Sequence, residues 1–360
     1  MIRPLPHIGQ MAPYALAQME VPPDTPLISL AQNESLRPPS PLALEAAARS
    51  LTDGALYPDP DWTALRQGLA ALHEIPATNI LCGNGSLDLI GAIARCYAGP
   101  GRAVLAPTHA YPFFRTCAAG VQADFDTAEE DALTACVDHL LTAVRPDTAV
   151  VFVANPGNPT GTRISKAELF RLRAELPREV LLVIDEAYGE FADHLGESCF
   201  GMVGGENTIV LRTFSKAYGM AGFRVGWGLF PAMIAAEVRK VLNPNNVSAA
   251  SQAAALAALQ DQGYMRETCK LTAEIREAVA DDLCQMGFEV YLSFTNFLLI
   301  NLGNAGRVQS VENALRAQGI FCRQQAGAGL PGMLRMTIGP RKAMDFALTC
   351  LEDWKKEETR

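Results

Sequence analysis

Short apolar segments alternate with segments of helical periodicity through much of this chain. Five runs have the length of strands and are apolar on both faces: Asn79–Cys82, Ala103–Ala106, Ala149–Ala154, Val180–Asp185 and Thr208–Arg212. Helical periodicity occurs between several of them, at 86–98, 111–119, 128–144 and 165–176. Strands that are apolar on both faces are typical of a parallel sheet covered by helices on both sides. We therefore predict an α/β fold.

The length of 360 residues suggests about two domains. We predict a proline-rich N-terminal arm at 1–27, a large domain at 28–242 and a small α+β domain at 243–360. Further helices are expected at about 42–52, 61–73 (with Asp61 as N-cap), 231–242, 248–286, 307–318 and 340–356. Further strands are expected near 224–230, 288–292, 295–301 and 333–338.

Charge and cysteine usage exclude several classes of function. A net charge of −9 without a basic block argues against nucleic acid and gives no reason to expect an anionic membrane surface as partner. Prolines interrupt the N-terminus before a signal sequence can form. The nine scattered cysteines contain no Cys-x-x-Cys pair, so we expect reduced thiols in a cytoplasmic protein and no metal site.

One lysine lies in a segment that suits a phosphate group beside a reactive amine. Lys216 stands close to two hydroxyl residues, Thr213 and Ser215, and Arg224 adds a second cation. Arginine and hydroxyl groups hold phosphate oxygens through charge-assisted hydrogen bonds. A neighbouring cation and an apolar surround favour the neutral lysine, which can form a Schiff base. For a lone Ser-Lys pair, a solvated glycine-rich turn is the alternative interpretation.

Two polar loops follow predicted strands. Gly83–Ser86 precedes a helix, so its backbone N–H groups can bind an anion, although Gly-Asn-Gly is also an ordinary turn. In Asn155–Gly161 two prolines fix the amide of Asn158, which can donate to an anionic oxygen; a Pro/Gly turn with a capping Asn is the alternative.

The strand Val180–Asp185 ends in a carboxylate that is costly to bury without a cation. A protonated pyridine nitrogen would pair with Asp185, and Tyr188 could reach an oxygen on the same ring; a helix N-cap is the plainer explanation of Asp185. Because ligands of open α/β sheets bind at the carboxyl ends of strands, we predict one shared site. Its combined chemistry matches pyridoxal 5′-phosphate (PLP).

The chain resembles the fold-type-I, PLP-dependent aminotransferases of class I and II, and within them it is similar to the histidinol-phosphate aminotransferases. The matching motifs extend over nearly the whole chain: Met11–Tyr14, Asn33-Glu34, Tyr57–Pro60, Gly83–Ser86, Asn155–Gly161, Asp185–Tyr188, Ser215-Lys216, Gly222–Gly226 and Leu334–Gly339. The resemblance implies a mostly parallel sheet of seven strands flanked by helices in the large domain.

The resemblance also implies roles for single residues. The catalytic residues would be Lys216, Asp185 and Tyr188, with Lys216 moving a proton at the substrate carbon. Residues around the cofactor ring and phosphate would be Gly85, Ser86, His109, Asn158, Asp185, Tyr188, Thr213, Ser215, Lys216 and Arg224, with Tyr57 reaching across from the second subunit of a homodimer. Residues around the substrate would be Tyr14, Asn33, Tyr111, Arg323 and Arg335, with Arg335 gripping an anionic end.

Some positions depart from the family pattern. Ser35-Leu36 replaces the usual Asn-Pro, and Leu87 replaces an aspartate. His109 stands where an aromatic ring commonly stacks on the cofactor, with Tyr111 two residues further on. None of these departures touches the core chemistry, but all of them bear on the choice of substrate.

We therefore expect a transaminase of amino-acid biosynthesis, such as histidine biosynthesis, that works by a ping-pong mechanism. Its substrates would be histidinol phosphate or an aromatic amino acid, with 2-oxoglutarate and glutamate as the other pair. A PLP-dependent decarboxylase of a phosphorylated amino acid and a non-catalytic PLP-binding regulator are the alternatives.

Overall fold

The computed structural model describes residues 2–12, 25–196, 198–204 and 207–358. The helices are α1 (Pro6–Gln10), α2 (Pro41–Ser50), α3 (Thr63–His73), α4 (Ser86–Tyr97), α5 (Phe113–Gly120), α6 (Val137–Ala143), α7 (Lys166–Glu175), α8 (Gly189–Ala192), α9 (Ala232–Arg239), α10 (Ala249–Gln260), α11 (Gln262–Gln285), α12 (Ala305–Ala317) and α13 (Arg341–Glu358). The strands are β1 (Ile28–Ser29), β2 (Ile80–Gly83), β3 (Ala103–Pro107), β4 (Phe125–Ala128), β5 (Glu130–Asp131), β6 (Thr134–Ala135), β7 (Thr148–Ala154), β8 (Leu181–Asp185), β9 (Thr208–Thr213), β10 (Gly226–Leu229), β11 (Glu289–Val290), β12 (Phe297–Asn301), β13 (Ile320–Phe321), β14 (Arg323–Gln325) and β15 (Leu330–Thr337).

Seven strands form the central sheet in the order β2-β10-β9-β8-β7-β3-β4. β10 runs antiparallel to both of its neighbours, and the other pairs are parallel. The five strands predicted from apolar runs are all present, and β2, β3, β8 and the middle of β7 are buried on both faces because helices cover the sheet on both sides. The predicted α/β fold with a mostly parallel seven-stranded sheet is confirmed.

The helix predicted at 128–144 is wrong in its first half. β4 ends at Ala128, and β5 and β6 pair as a hairpin before α6 begins. Ala132 and Leu133 in the hairpin turn have φ angles of 47° and 63°, which a right-handed helix does not allow. The prediction failed because this turn contains none of the Gly, Asn or Pro residues that usually mark a hairpin.

The predicted N-cap of α3 is also wrong. The carboxylate that accepts hydrogen bonds from the backbone N–H groups at the start of this helix belongs to Asp59. It accepts from the Thr63 N–H at 2.7 Å and from the Asp61 N–H at 2.9 Å. Trp62, directly before the helix, has a left-handed conformation with φ 50°. That conformation bends the chain so that an aspartate three residues further back reaches the free N–H groups.

A second, antiparallel sheet has the order β11-β12-β15-β14; α11 and α12 pack against it, and α13 packs against those two helices. Its hydrophobic core is separate from that of the large sheet. Leu30, just after β1, belongs to this second core, whereas Ala254 and Ala258 of α10 belong to the first. The division between the two cores therefore does not coincide with the domain boundary that we predict near Leu242.

All nine cysteines are free thiols. Among the residues that the structure describes, no helix has both the length and the apolar character needed to cross a membrane.

Candidate active site at the ends of the central strands

A cavity of about 580 Å³ opens where β7, β8 and β9 end. Ala154, Asp185 and Thr213, the last residues of these strands, border it on one side. The segment 31–34 and Arg335, which lie next to the second core, border it on the other. We call this space the central cavity; its volume is within the usual range for small-molecule sites, roughly 300–1,000 Å³.

The Lys216 amine lies in the turn that follows β9 and faces the central cavity. Its Nζ donates hydrogen bonds to the backbone carbonyl oxygens of Gln32 at 3.0 Å and Asn33 at 2.9 Å. Burial and the nearby Arg335 guanidinium lower the pKa of the amine to about 7. A large share of this lysine is therefore neutral, and nucleophilic, near neutral pH.

The carboxyl group of Asp185 is buried at the end of β8. Its Oδ1 accepts a hydrogen bond from the Ala187 N–H at 3.1 Å. Burial raises the pKa of Asp185 to about 7, and the carboxylate of Glu186 adds to this effect. None of the ion pairs formed by the described residues includes Asp185, so this carboxyl group can still take a cationic partner from the cavity.

Tyr188 is held in position by a hydrogen bond to its hydroxyl and by a packing contact to its ring. Its hydroxyl accepts a hydrogen bond from the Asn33 side-chain amide at 2.8 Å. Its ring packs edge-on against Phe297 of β12, with 5.3 Å between the ring centroids. Asn33 is in turn held by Thr337, whose hydroxyl accepts from the Asn33 N–H at 2.9 Å. The tyrosine hydroxyl is thus fixed at the cavity wall.

One end of the central cavity has the chemistry of a phosphate site. Ser86 begins α4, so the free N–H groups of that helix point toward the cavity. Arg224 Nη1 lies 3.4 Å from Ser215 Oγ, and Thr213 Oγ1 lies 3.0 Å from the same oxygen. The backbone of Gly85, at φ 77°, passes so close to Arg224 that a Cβ on Gly85 would lie 2.3 Å from Nη2. The cradle therefore needs glycine here.

The opposite wall presents two arginines from neighbouring strands. Arg323 of β14 and Arg335 of β15 are directly opposite each other in the second sheet. Arg335 donates to Asn158 Oδ1 at 2.5 Å and to the Ala31 carbonyl oxygen at 2.8 Å. Because Asn158 uses its oxygen for Arg335, its NH₂ group is the part that can donate to a ligand.

Comparison with known proteins gives a consistent result. The family model for aminotransferase class I and II matches residues 25–351. The chain belongs to this aminotransferase family. Membership confirms the predicted enzyme class, a PLP-dependent aminotransferase.

Individual relatives agree with the family match. Histidinol-phosphate aminotransferases from Ruegeria sp. (strain TM1040) and Rhodospirillum centenum are 36% and 37% identical to this chain, each with 98% of both chains covered. The crystal structure of histidinol-phosphate aminotransferase from Sinorhizobium meliloti, in complex with pyridoxal-5'-phosphate, aligns with a TM-score of 0.92 at 30% identity and covers 99% of each chain.

Most residues predicted for the active site of this aminotransferase do border the central cavity: Asn33, Ser86, Tyr111, Asn158, Asp185, Tyr188, Thr213, Ser215, Lys216, Arg224, Arg323 and Arg335. Gly85 directly precedes Ser86 and lies next to Arg224, but it does not itself border the cavity. Their individual roles stay predictions, since geometry alone does not assign them.

Two further predicted residues, His109 and Tyr57, do not border the central cavity of this chain. His109 Nδ1 lies 2.7 Å from the carbonyl oxygen of Ala328, and its ring borders a smaller neighbouring pocket. Tyr57 is 88% exposed on the surface. Tyr14 lies outside the described residues. The stacking role of His109 and the contact of Tyr57 with a second subunit therefore stay predictions.

Sequence reasoning assigned no role to three polar residues that border the aminotransferase cavity: Gln32, Glu34 and Gln325. Glu34 adjoins Asn33 in a matched motif, which was the available signal. Gln325 is two residues from Arg323 in β14, so strand alternation places both on one face, but this strand was not among those predicted from the sequence.

Proposed function

We propose that this aminotransferase is a histidinol-phosphate aminotransferase, which transfers the amino group of histidinol phosphate to 2-oxoglutarate in two half-reactions. One observation carries the proposal: Asp185, a buried carboxyl group that forms no ion pair with another described residue, shares a cavity with Lys216, a lysine whose pKa is about 7. Around this pair the cavity offers separate groups for two anionic ends, a phosphate cradle and an arginine pair.

The residues present fit PLP. Asp185 supplies the carboxylate for a pyridinium nitrogen, and the Tyr188 hydroxyl and Asn158 amide supply donors for the ring oxygen. The cofactor phosphate would be held by the cradle described above: Gly85, Ser86, Thr213, Ser215 and Arg224. When bound, PLP acts as the electron sink that makes removal of a proton from the substrate carbon possible.

Lys216 has the properties of the group that carries the cofactor and then moves the proton. Its turn is anchored at the end of β9, while its four-carbon side chain lets the amine change position within the cavity. With a pKa of about 7, the amine can accept a proton and release it again near neutral pH. The carbonyl oxygens of Gln32 and Asn33 orient it by accepting its N–H groups.

Arg335 and Arg323 are the groups that we propose for the anionic end of either substrate. The Arg335 guanidinium is buried, and two of its donors are fixed by Asn158 and Ala31. A planar guanidinium can donate two parallel hydrogen bonds to a carboxylate or a phosphate. One pair of arginines can therefore serve both the phosphate of histidinol phosphate and a carboxylate of 2-oxoglutarate. Tyr111 and Asn33 complete the wall beside the substrate.

We further propose a cytoplasmic homodimer with shared active sites. Leu51, Leu56 and Tyr57 are 69%, 72% and 88% exposed within one short segment. Such a cluster of large apolar side chains is typical of a surface that a partner covers. In the dimer, Tyr57 would reach the cofactor phosphate of the second subunit. Nine free thiols suit a reducing compartment.

The test is amino transfer by the purified protein supplied with PLP. With histidinol phosphate and 2-oxoglutarate, we expect glutamate to form and no CO₂ to be released. Lys216→Ala should abolish the reaction. Lys270→Ala removes an exposed lysine that pairs only loosely with Glu274, at 3.9 Å, and should leave the rate unchanged. Glutamate formed only from phenylalanine would shift the assignment to an aromatic aminotransferase, and CO₂ release would indicate a decarboxylase.

A further inference from the structure

The walls of the central cavity are strongly unequal in charge. Four cations border it: Lys216, Arg224, Arg323 and Arg335. Among the described residues that border it, the carboxylates are those of Asp185 and Glu34. Asp185 is buried at the sheet, whereas Glu34 is exposed. Glu34 is therefore the acidic group that the outer part of a substrate can reach.

Glu34 also borders a second, more open pocket of about 400 Å³. Ala221 and Gly222 border both spaces, so the Glu34 carboxylate lies where the central cavity meets this pocket. Arg37 borders the second pocket as well, but its guanidinium pairs with Glu267 at 2.7 Å and packs over the Tyr264 ring at 3.9 Å. The nearest arginine in sequence is thus directed toward α11.

The backbone around Glu34 is held firmly. Asn33 has a left-handed conformation with φ 55°, which is uncommon for a residue other than glycine. Asn296 donates from its side-chain amide to the carbonyl oxygens of Asn33 at 3.1 Å and Glu34 at 3.0 Å. Ser29 donates from its hydroxyl to Glu34 Oε2 at 2.9 Å. A strained backbone held by this many partners is typical of a functional position.

We infer that Glu34 is a specificity-determining residue that accepts a hydrogen bond from an N–H group on the ring of the amino donor. This inference rests on the proposed function and deepens it. The arginines select the phosphate, and Glu34 selects an imidazole ring over a phenyl ring. An imidazole always carries at least one N–H donor, and it becomes a cation below its pKa of about 6.5. A phenyl ring offers no such donor and would cover the second oxygen of the Glu34 carboxylate, the one that Ser29 does not bond, which costs binding energy.

The experiment uses two amino donors that differ only in the ring. Histidinol phosphate and phenylalaninol phosphate share the amine and the phosphate ester, so a comparison of their kcat/KM values isolates ring recognition. In the wild-type holoenzyme we expect the imidazole donor to be strongly preferred. Glu34→Gln should lower this preference about tenfold, the effect of one charge-assisted hydrogen bond at an exposed position. The decrease in kcat/KM should occur with histidinol phosphate and not with phenylalaninol phosphate.

Glu267→Gln is the matched control. It removes the same charge near the cavity mouth, but Glu267 borders neither pocket. We expect it to leave the preference unchanged. If Glu34→Gln lowers kcat/KM equally for both donors, or leaves the ratio unchanged, the specificity role is overturned while the proposed function stands. If the wild type uses neither phosphate ester, the proposed function itself fails, and the inference fails with it.

Discussion

The side-chain amide of Asn33 donates a 2.8 Å hydrogen bond to the hydroxyl of Tyr188. Asn33 follows β1, which pairs with β13 beside the second core, and Tyr188 follows β8 of the central sheet. One hydrogen bond thus joins the two halves of the active site, and the Lys216 amine donates to the backbone carbonyl oxygen of the same Asn33 at 2.9 Å. The position of the tyrosine hydroxyl depends on this junction.

We expect Asn33 to be sensitive to substitution for two separable reasons. Asn33→Gly removes the hydrogen bonds to Tyr188 and Thr337 but keeps the left-handed backbone accessible, and should lower the free energy of unfolding by about 1–3 kcal/mol. Asn33→Ala adds the strain of φ 55° and should cost about 1 kcal/mol more. Urea unfolding of both variants measures the difference. Equal stabilities would show that the backbone conformation carries no strain.

The reactivity of Lys216 should depend on pH in a predictable direction. Only the neutral amine can attack a carbonyl, so the rate at which the apoprotein takes up PLP should rise as pH rises through about 7. Arg335 is one of the cations that lower the pKa of Lys216. Without that cation the amine holds its proton more tightly. Arg335→Met should therefore move the midpoint of the pH dependence of PLP uptake to higher pH.

Uptake of PLP can be followed by its visible absorption. Arg323→Met is the control, because Arg323 also borders the cavity but is not among the largest contributors to the lowered pKa of Lys216. Its midpoint should match that of the wild type. An unshifted midpoint in Arg335→Met would contradict the electrostatic explanation.

Gly226 should be required for the phosphate cradle. A Cβ at this position would lie 2.4 Å from the backbone nitrogen of Ser86, so Gly226→Ala must displace the start of α4. We expect the Kd for PLP, measured by titration of the apoprotein, to rise about tenfold or more, because the helix N–H groups no longer converge on the phosphate. Gly263→Ala meets nothing within 4 Å of its Cβ and serves as control. Equal affinities would remove the N-terminus of α4 from the cofactor site.

A buried ion-pair cluster supports the loop that carries Asp185. Arg212 is 1% exposed and pairs with Glu186 at 2.8 Å, Asp193 at 2.8 Å and Glu190 at 3.3 Å. Arg212→Met leaves the buried Glu186 carboxylate without its cation and should cost about 3–5 kcal/mol of stability in chemical denaturation. Such a loss would also loosen the loop that begins at Asp185.

Glu190→Gln should be much milder and should depend on pH. Burial raises the pKa of Glu190 to about 7. In the folded protein this carboxyl group therefore keeps its proton at pH values where the unfolded chain has lost it. The free energy of unfolding consequently falls as pH rises from about 4.5 through 7. The variant has no such dependence, so it should gain stability relative to the wild type between pH 5 and 8. A constant difference across this range would show that Glu190 is ionised throughout.

Local patterns were sufficient for part of this structure. The apolar runs located the central strands, because strands buried on both faces must be apolar regardless of their neighbours. The sequence also predicts that residues at the carboxyl ends of these strands, such as Asp185 and Thr213, lie close together, because parallel strands end at the same edge of a sheet. The sequence could indicate Gly85 as part of an anion site, because a glycine directly before a helix with exposed backbone N–H groups is a local feature.

Only the tertiary structure decided the rest. The hairpin at 130–135 and the cap at Asp59 depend on left-handed residues, Leu133 and Trp62, that no turn composition signals. The contact between Asn33 and Tyr188 joins positions 155 residues apart, and the position of Glu34 depends on a hydrogen bond from Asn296, directly before β12. Periodicity is set by local geometry, whereas the wall of a cavity between two cores is set by how those cores pack together.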